Sequence, residues 1–452
     1  MGFAARAGSL LSEVPRDFDS HRCRYAMMIA AQRDNATMFD QLWRWAKTHM
    51  RHNELDDARH GYFAWHCSPA GQQLDSNPAS DGETWIAAAL YTAAARWERA
   101  DYAAEATALL QDCTNKTGKI ESVTSMFNNH TGVAEADSQV VFTPYANSAS
   151  FTDPSYHLPA FYWLWAQRAA APPLTMAAPT FGARHDYEQL STTCQHASSI
   201  GGGSRVSSIA ECEAACDARA GCVAVDTDGT TCYLKAHCEG EVGECSEWCG
   251  FRQTGGPTPP SPPMPPGPGP GPTPLPTPPA SAAFWKGFVR SSRTFFPLAS
   301  SPQSSLAPDY ATFAGAPTGS QQHFAFDAWR VAQNVAMDYA WLAADAAEVS
   351  HCERLHAFFK QANASKPYGN QFDVASGRQL SADHSPGLVA MNAVCSLASN
   401  ATLAWDFVAE LWTTPTPTGK YRYYDGMLYM LGWLQLSGQF RYYPEPSKPD
   451  DM

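Results

Sequence analysis

The chain is predicted to fold as an all-α domain of packed helical hairpins, interrupted once by a small disulfide-rich α+β module and a proline-rich linker. Apolar residues recur at i, i+3, i+4 spacing through residues 24–170 and again through 284–440, the mark of amphipathic helices. Long alternating strand runs are scarce in both stretches. The interruption shows in composition: eight of the 13 cysteines fall between Cys194 and Cys249, and TGGPTPPSPPMPPGPGPGPTPLPTPPASAA follows. Proline-dominated sequence of that kind cannot pack a core and reads as an extended spacer.

In the first stretch MFDQLWRWAKTHM, ETWIAAALYTAAARW and YAAEATALLQ read as successive helices. The second stretch continues with FWKGFVRSSRTFF, WRVAQNVAMDYAWLAADAA, LHAFFKQA, GLVAMNAVCSLA, WDFVAELW and YDGMLYMLGWLQL. Polar loops rich in Gly, Pro and Asn join them, as helical hairpins require. The expected division is 1–172 and 284–445 for the two parts of the helical domain, 190–253 for the Cys-rich module and 254–283 for the linker.

Charge narrows the partners. Forty-four acids against 31 bases give −13 and an isoelectric point near 5.5, which excludes a nucleic-acid partner that needs a basic face. No apolar run approaches the roughly 20 residues of a membrane span. Cysteine density is typical of oxidised secreted modules, and Asn-x-Ser/Thr acceptors at Asn35, Asn115, Asn129, Asn363 and Asn400 fit an extracellular or secretory location. The start, MGFAARAGSLLSE, turns polar too soon for a secretory signal. Residues 1–23 are therefore expected not to represent the native start.

Four acidic clusters stand where helices begin: Ser80-Asp81-Gly82-Glu83, Asp153-Pro154-Ser155-Tyr156, Asp327, and Tyr423-Tyr424-Asp425-Gly426. Each taken alone is better explained as a cap: Ser80 with Glu83 fits a capping box, Asp153-Pro154 an N-cap and first helical position, and Asp327 and Asp425 simple caps. Their company argues for more. Trp65, Trp85, Trp329, Tyr156, Tyr423 and Tyr424 lie beside them, and aromatic faces next to carboxylates suit a sugar's C–H faces and hydroxyl edges.

The words FDQLWRWAKTHM, GYFAWHC, PASDGETWIAAAL, FTDPSYHLPAFYWLW, LAPDYATFAG, FDAWRVAQNVAMDYAW and RYYDGMLYMLG resemble glycoside hydrolase family 8, most of all its reducing-end xylose-releasing exo-oligoxylanases. The resemblance covers roughly 24–168 and 284–441 in the same order. It implies an (α/α)6 barrel with a cleft at one end and an inverting mechanism without cofactor or metal. Asp327 takes the role of general base, Tyr156 that of the tyrosine that helps hold the attacking water, and Asp81 that of the acid that binds the sugar at the cleavage point. Tyr25, Trp65, Glu83, Trp329, Arg330, His384 and Tyr424 fall among the substrate-binding positions, His384 near the subsite that limits chain length on the reducing-end side.

The family's general acid is a glutamate in a stretch resembling Ser/Thr-Glu-Gly-x-x-Tyr-Gly-Met-Met. In register with Tyr25-Ala26-Met27-Met28 this chain has Ser20-His21-Arg22-Cys23-Arg24, so His21 stands where the glutamate belongs. A Ser-Glu pair does occur at Ser12-Glu13, with VPRDFDSHRC intervening. Three readings follow: an insertion that still delivers Glu13 to the cleft, a non-native start, or a true loss of the acid. His21 is a poor substitute, because Arg22 and Arg24 disfavour its protonated form.

Cys212-x3-Cys216-x5-Cys222 and TTCYLK around Cys232 resemble a PAN/apple-like domain, which implies a glycan or protein ligand; an even set of eight cysteines favours bridges over zinc. Cys23, Cys67, Cys113, Cys352 and Cys395 read as buried thiols. The expected activity is inverting hydrolysis of β-1,4-linked xylo-oligosaccharides. A β-1,4-glucanase, a chitosanase, or a glycan-binding barrel without its acid are the alternatives.

Overall fold

The computed structural model describes residues 20–54, 56–116, 123–128, 138–145, 148–170, 187–189, 194, 204–205, 212, 216, 222–227, 231–235, 249–253, 280–364 and 367–443. Two compact units result, residues 1–171 with 276–452, and residues 172–275.

The larger unit is an (α/α)6 barrel. Among its described residues the helices are α1 Ser20–Gln32, α2 Ala36–His49, α3 Ser80–Trp97, α4 Ala100–Thr114, α5 Pro159–Ala170, α6 Ala282–Ala299, α7 Trp329–Leu342, α8 Ala346–Ala362, α9 Pro386–Cys395, α10 Ala404–Thr413 and α11 Tyr424–Leu436. The odd-numbered helices form an inner ring in which each packs on the next and α11 returns to α1. The even-numbered helices pack outside them as the second arms of hairpins. Because each outer helix runs back along its inner partner, the inner helices are parallel and bring their N-termini to one end.

Sequence separates the two rings. In α2 only Phe39, Trp43 and Ala46 are buried, a single stripe at helical spacing. In α3 every residue from Glu83 to Ala94 is buried, and its alanines let neighbours approach on all sides. Trp85 of α3 packs edge-on against Tyr25 of α1 and Phe161 of α5, with both ring centroids 4.9 Å away. The ring is sealed by Gln32, which donates its side-chain amide to the Arg441 carbonyl and accepts from the Arg441 N–H, both at 2.9 Å.

The run WRVAQNVAMDYAWLAADAA is two helices rather than one. Ala343 turns into the left-handed region at φ 48°, and Asp345 caps α8 by accepting from the N–H groups of Ala347 and Glu348. The bidentate pair of Arg293 with Asp338, at 2.7 and 3.0 Å, fastens α6 to α7.

Capping corrects two expectations. Asn35 caps α2 and Asp153 caps the 3-10 turn Pro154–Tyr156. No capping box exists at α3, whose N-cap is Ala79. Nor do Asp327 and Asp425 cap their own helices: the Ala328 N–H is taken by Asp309 at 2.8 Å, and Asp425 accepts instead from Gly387 of α9 at 2.9 Å.

The smaller unit carries a five-stranded antiparallel sheet, order β5-β9-β7-β8-β6, from β5 Tyr187–Gln189, β6 Ser204–Arg205, β7 Ala224–Thr227, β8 Thr231–Lys235 and β9 Cys249–Gln253. Disulfides Cys212–Cys232 and Cys216–Cys222 cluster under it with Val225. The four short strands β1 to β4, in two hairpins at residues 66–75 and 127–140, belong to the barrel's loops. Of the linker only residues from 280 onward are described, and α6 begins with Ser281 as its cap.

The reading of five buried thiols is wrong for two of them. Cys352 of α8 and Cys395 of α9 form a disulfide across 43 residues, while Cys23, Cys67 and Cys113 are buried thiols as expected. Closing a loop of that length removes unfolded-state entropy. Replacing Cys352 and Cys395 by alanine is expected to lower unfolding free energy by about 2–4 kcal/mol, read as a fall in melting temperature. Cys113→Ser is expected to respond to reductant as the parent chain does.

Candidate active site

The N-terminal ends of the inner helices place the candidate residues together. Arg330, in the first turn of α7, is 3 % exposed and points its guanidinium into the middle of the ring. One terminal nitrogen donates to Asp81 of α3 at 2.7 Å and to the Tyr25 hydroxyl of α1 at 2.9 Å. The other donates to Asp327 at 2.5 Å and lies 3.9 Å from Asp153. Asp81 is completed from its other side by Arg24 at 2.5 Å. The crowded basic turn that opens α1 thus supplies a buried cation to Asp81.

Exposure distinguishes the carboxyls. Asp81, Asp153 and Asp309 are buried, but the Asp327 side chain is 35 % exposed. Asp309 caps α7 in its place, which leaves both Asp327 oxygens free of backbone duty. Burial and then the neighbouring Asp327 charge push the Asp153 carboxyl well above the usual range and that of Asp309 up to about 8. Asp309 therefore favours its neutral form at mildly acidic pH, and Asp153 is pushed in the same direction. Tyr156, buried in the turn behind Asp153, has its ring under the Arg330 guanidinium at 5.6 Å. Burial, followed by the Asp81 charge, raises its hydroxyl well above the ordinary range, so it stays protonated and able to donate.

The walls are aromatic. Trp329 lies 5.9 Å from Tyr424 and 5.4 Å from Phe326, and the Tyr424 hydroxyl donates to the Phe326 carbonyl at 2.8 Å. That bond ties α11 to the loop carrying Asp327. Trp65 shares a small cavity with Arg24 and Glu83 on the α1 and α3 side. His384 sits on the rim before α9, with Nδ1 2.9 Å from the Tyr368 carbonyl and Nε2 3.6 Å from Glu410 of α10. Its loop is hooked to Trp329 through Asn370, which accepts from the indole N–H and donates to Ser385.

Glu83 differs from its expected part. It is 1 % exposed and accepts from the Phe63 N–H at 2.8 Å, so it anchors the loop that carries Trp65. Glu13 and the side chain of His21 lie outside the described residues. Sequence reasoning missed Arg24 and Asp309, and saw in Asp153 only a cap. Arg24 was visible merely as one of three basic residues in a turn, and Asp309 only as a letter in LAPDYATFAG. No periodicity links either to its partner.

Burial pushes the Glu83 carboxyl up to about 8, the Phe63 hydrogen bond opposing. The unfolded chain then releases this proton before the folded one, so native stability falls as pH rises from about 4.5 to about 8. The slope from this group alone is roughly 1.4 kcal/mol per pH unit. Urea unfolding of Glu83→Gln across that window is expected to be flatter than that of the parent chain. Arg330→Lys is expected to be destabilised by about 3–5 kcal/mol, because one ammonium cannot serve the carboxylates that the fork holds.

Comparison with known proteins identifies the family of the barrel. The model of Glycosyl hydrolases family 8 matches residues 16–179 and 280–438, on either side of the inserted unit. A reducing-end xylose-releasing exo-oligoxylanase of Paenibacillus barcinonensis is 29 % identical over 445 residues, 96 % of this chain and 85 % of that protein. One of Halalkalibacterium halodurans is 27 % identical over 97 % of this chain and 84 % of its own length. Among solved structures, a family 8 xylobiose complex from Teredinibacter turnerae is 27 % identical with a TM-score of 0.65, covering 95 % of this chain and 83 % of that one. An endoglucanase of Ruminiclostridium josui matches over 159 residues, 34 % of this chain and of that protein. With both flanks of the insertion matched and the barrel in place, the chain belongs to glycoside hydrolase family 8.

Proposed function

We propose that this chain is an inverting glycoside hydrolase that releases xylose from the reducing end of β-1,4-linked xylo-oligosaccharides. The observation that carries the mechanism is the Arg330 fork, which holds Asp81 and Asp327 on one guanidinium while only Asp327 meets solvent. In this reading water attacks the anomeric carbon and gives its proton to Asp327, Tyr156 orients that water, and Asp81, buried between Arg24 and Arg330, positions the arginine fork rather than touching the sugar. The leaving oxygen takes a proton from a general acid on the opposite side. Xylan is favoured over glucan because likeness to exo-oligoxylanases spans nearly the whole chain, and likeness to endoglucanases a third of it or less. His384 closes the reducing-end side of the cleft.

Glu13 is the candidate general acid, as the glutamate that precedes the motif in sequence, and the imidazolium form from which His21 would have to donate is disfavoured by the neighbouring arginines. A second reading is a barrel that binds glycans without cleaving them. It is favoured by the family match that begins at residue 16, after Glu13, with His21 in register. The inserted unit reads as a PAN/apple-like module with a glycan or protein ligand. Disulfides in both units support a secretory or extracellular location.

The test is xylose release from xylotriose. Asp327→Asn keeps an oxygen for Arg330 but cannot accept the proton, and is expected to lose at least about 10²-fold in kcat with xylotriose still bound. Glu13→Gln is expected to fall about as far and His21→Gln to keep its rate. A parent chain that binds xylotriose at the rate floor of Asp327→Asn would establish the binding barrel instead.

A further inference from the structure

The outer helix α10 buries Ala404, Phe407 and Leu411 and turns its opposite side to solvent. On that side stand Trp405, 73 % exposed, and Trp412, 46 % exposed. Trp405 is the most exposed large apolar side chain among the described residues. Seven residues is two turns, so the two indoles share a face and their backbone positions are about 10.5 Å apart. Half-buried Val408 and exposed Ala409 fill the interval with short side chains. Trp412 is steadied edge-on against Trp433 of α11 at 5.5 Å.

Packing does not call for this stripe, because any polar residue would serve the outer side of an outer helix. We propose that it is a second, non-catalytic site for the main chain of β-1,4-linked xylan. Two turns of helix approximate the length of two β-1,4-linked pyranose units, so the indoles stack on the C–H faces of alternate sugars. The sugar between them passes over Val408 and Ala409, where a larger side chain would lift it away. The Lys360–Asp406 pair, at 2.6 Å, borders the stripe with groups that suit sugar hydroxyls. At its upper end Glu410 reaches His384 at 3.6 Å and accepts from the Tyr368 hydroxyl at 3.1 Å, so the stripe climbs to the rim of the cleft. A chain held there lies on the flank that leads to the site described above. The sugar class rests on the reading that the barrel acts on xylo-oligosaccharides.

The experiment is native gel electrophoresis of the full chain with and without soluble xylan, beside xylotriose hydrolysis and light scattering. Xylan is expected to slow the parent chain. Trp405→Ala, which loses no ring contact, is expected to bind roughly threefold to tenfold more weakly, with xylotriose turnover unchanged. The double variant with Trp412→Ala is expected to lose retardation altogether. Unchanged retardation in both variants, a parent chain that xylan does not slow, or a dimer that Trp405→Ala dissolves would each overturn the site. Stripe-dependent retardation in a chain that leaves xylotriose intact would support this site while removing the catalytic reading.

Discussion

Asp81 lies between two buried guanidinium groups, and the arrangement of the cleft follows from that sandwich. A carboxylate at 0 % exposure must be fully compensated, and Arg24 and Arg330 approach it from different helices at 2.5 and 2.7 Å. The two arginines bring one more positive charge than Asp81 can neutralise. Asp327, reached by the second nitrogen of Arg330, balances it. Burial and the Asp327 charge push the Asp153 and Asp309 carboxyls upward, toward their neutral forms, so that they compete less for the two arginines. Asp327 is thereby fixed at the solvent edge of a network that is otherwise buried.

The same sandwich sets the register of α1. Tyr25 receives a hydrogen bond from Arg330 and stacks edge-on with Trp85, while Arg24 one residue earlier reaches Asp81. Two consecutive residues with different partners leave α1 no freedom to rotate or slide. The three helices α1, α3 and α7 are coupled by charge at their N-termini and by apolar packing below.

Much of this was legible in sequence where local rules decide. Helices such as Ala36–His49 follow their apolar stripe, and Asp153 caps its turn as its place before Pro154 suggests. Legibility stopped where a partner comes from far along the chain. Asp327 and Asp425 looked like caps, yet α7 is capped by Asp309 and α9 by Asp425, pairings across 19 and 38 residues. That exchange matters for function, since an aspartate spending its oxygens on its own helix could not also serve as a base. Family resemblance brought Asp81, Asp327 and Tyr156 together; spacing alone had no means to. The Cys352–Cys395 bridge escaped for a related reason: each cysteine sits in an apolar helical stripe, where a buried thiol is the ordinary occupant.

The fixed register of α1 bears on the missing acid. With Tyr25 held by Arg330, residue 21 stands one turn earlier on the same face of the helix, toward the cleft end. Imidazole donates a proton only from its cationic form, and the positive charges of Arg24 and Arg330 make any further cation at this end of α1 costly. A carboxylic acid donates from its neutral form, which the same two cations also disfavour because they stabilise the carboxylate. A proton donor at this end of the barrel is therefore workable only where burial offsets the two cations, as burial raises the carboxyls of Asp153 and Asp309.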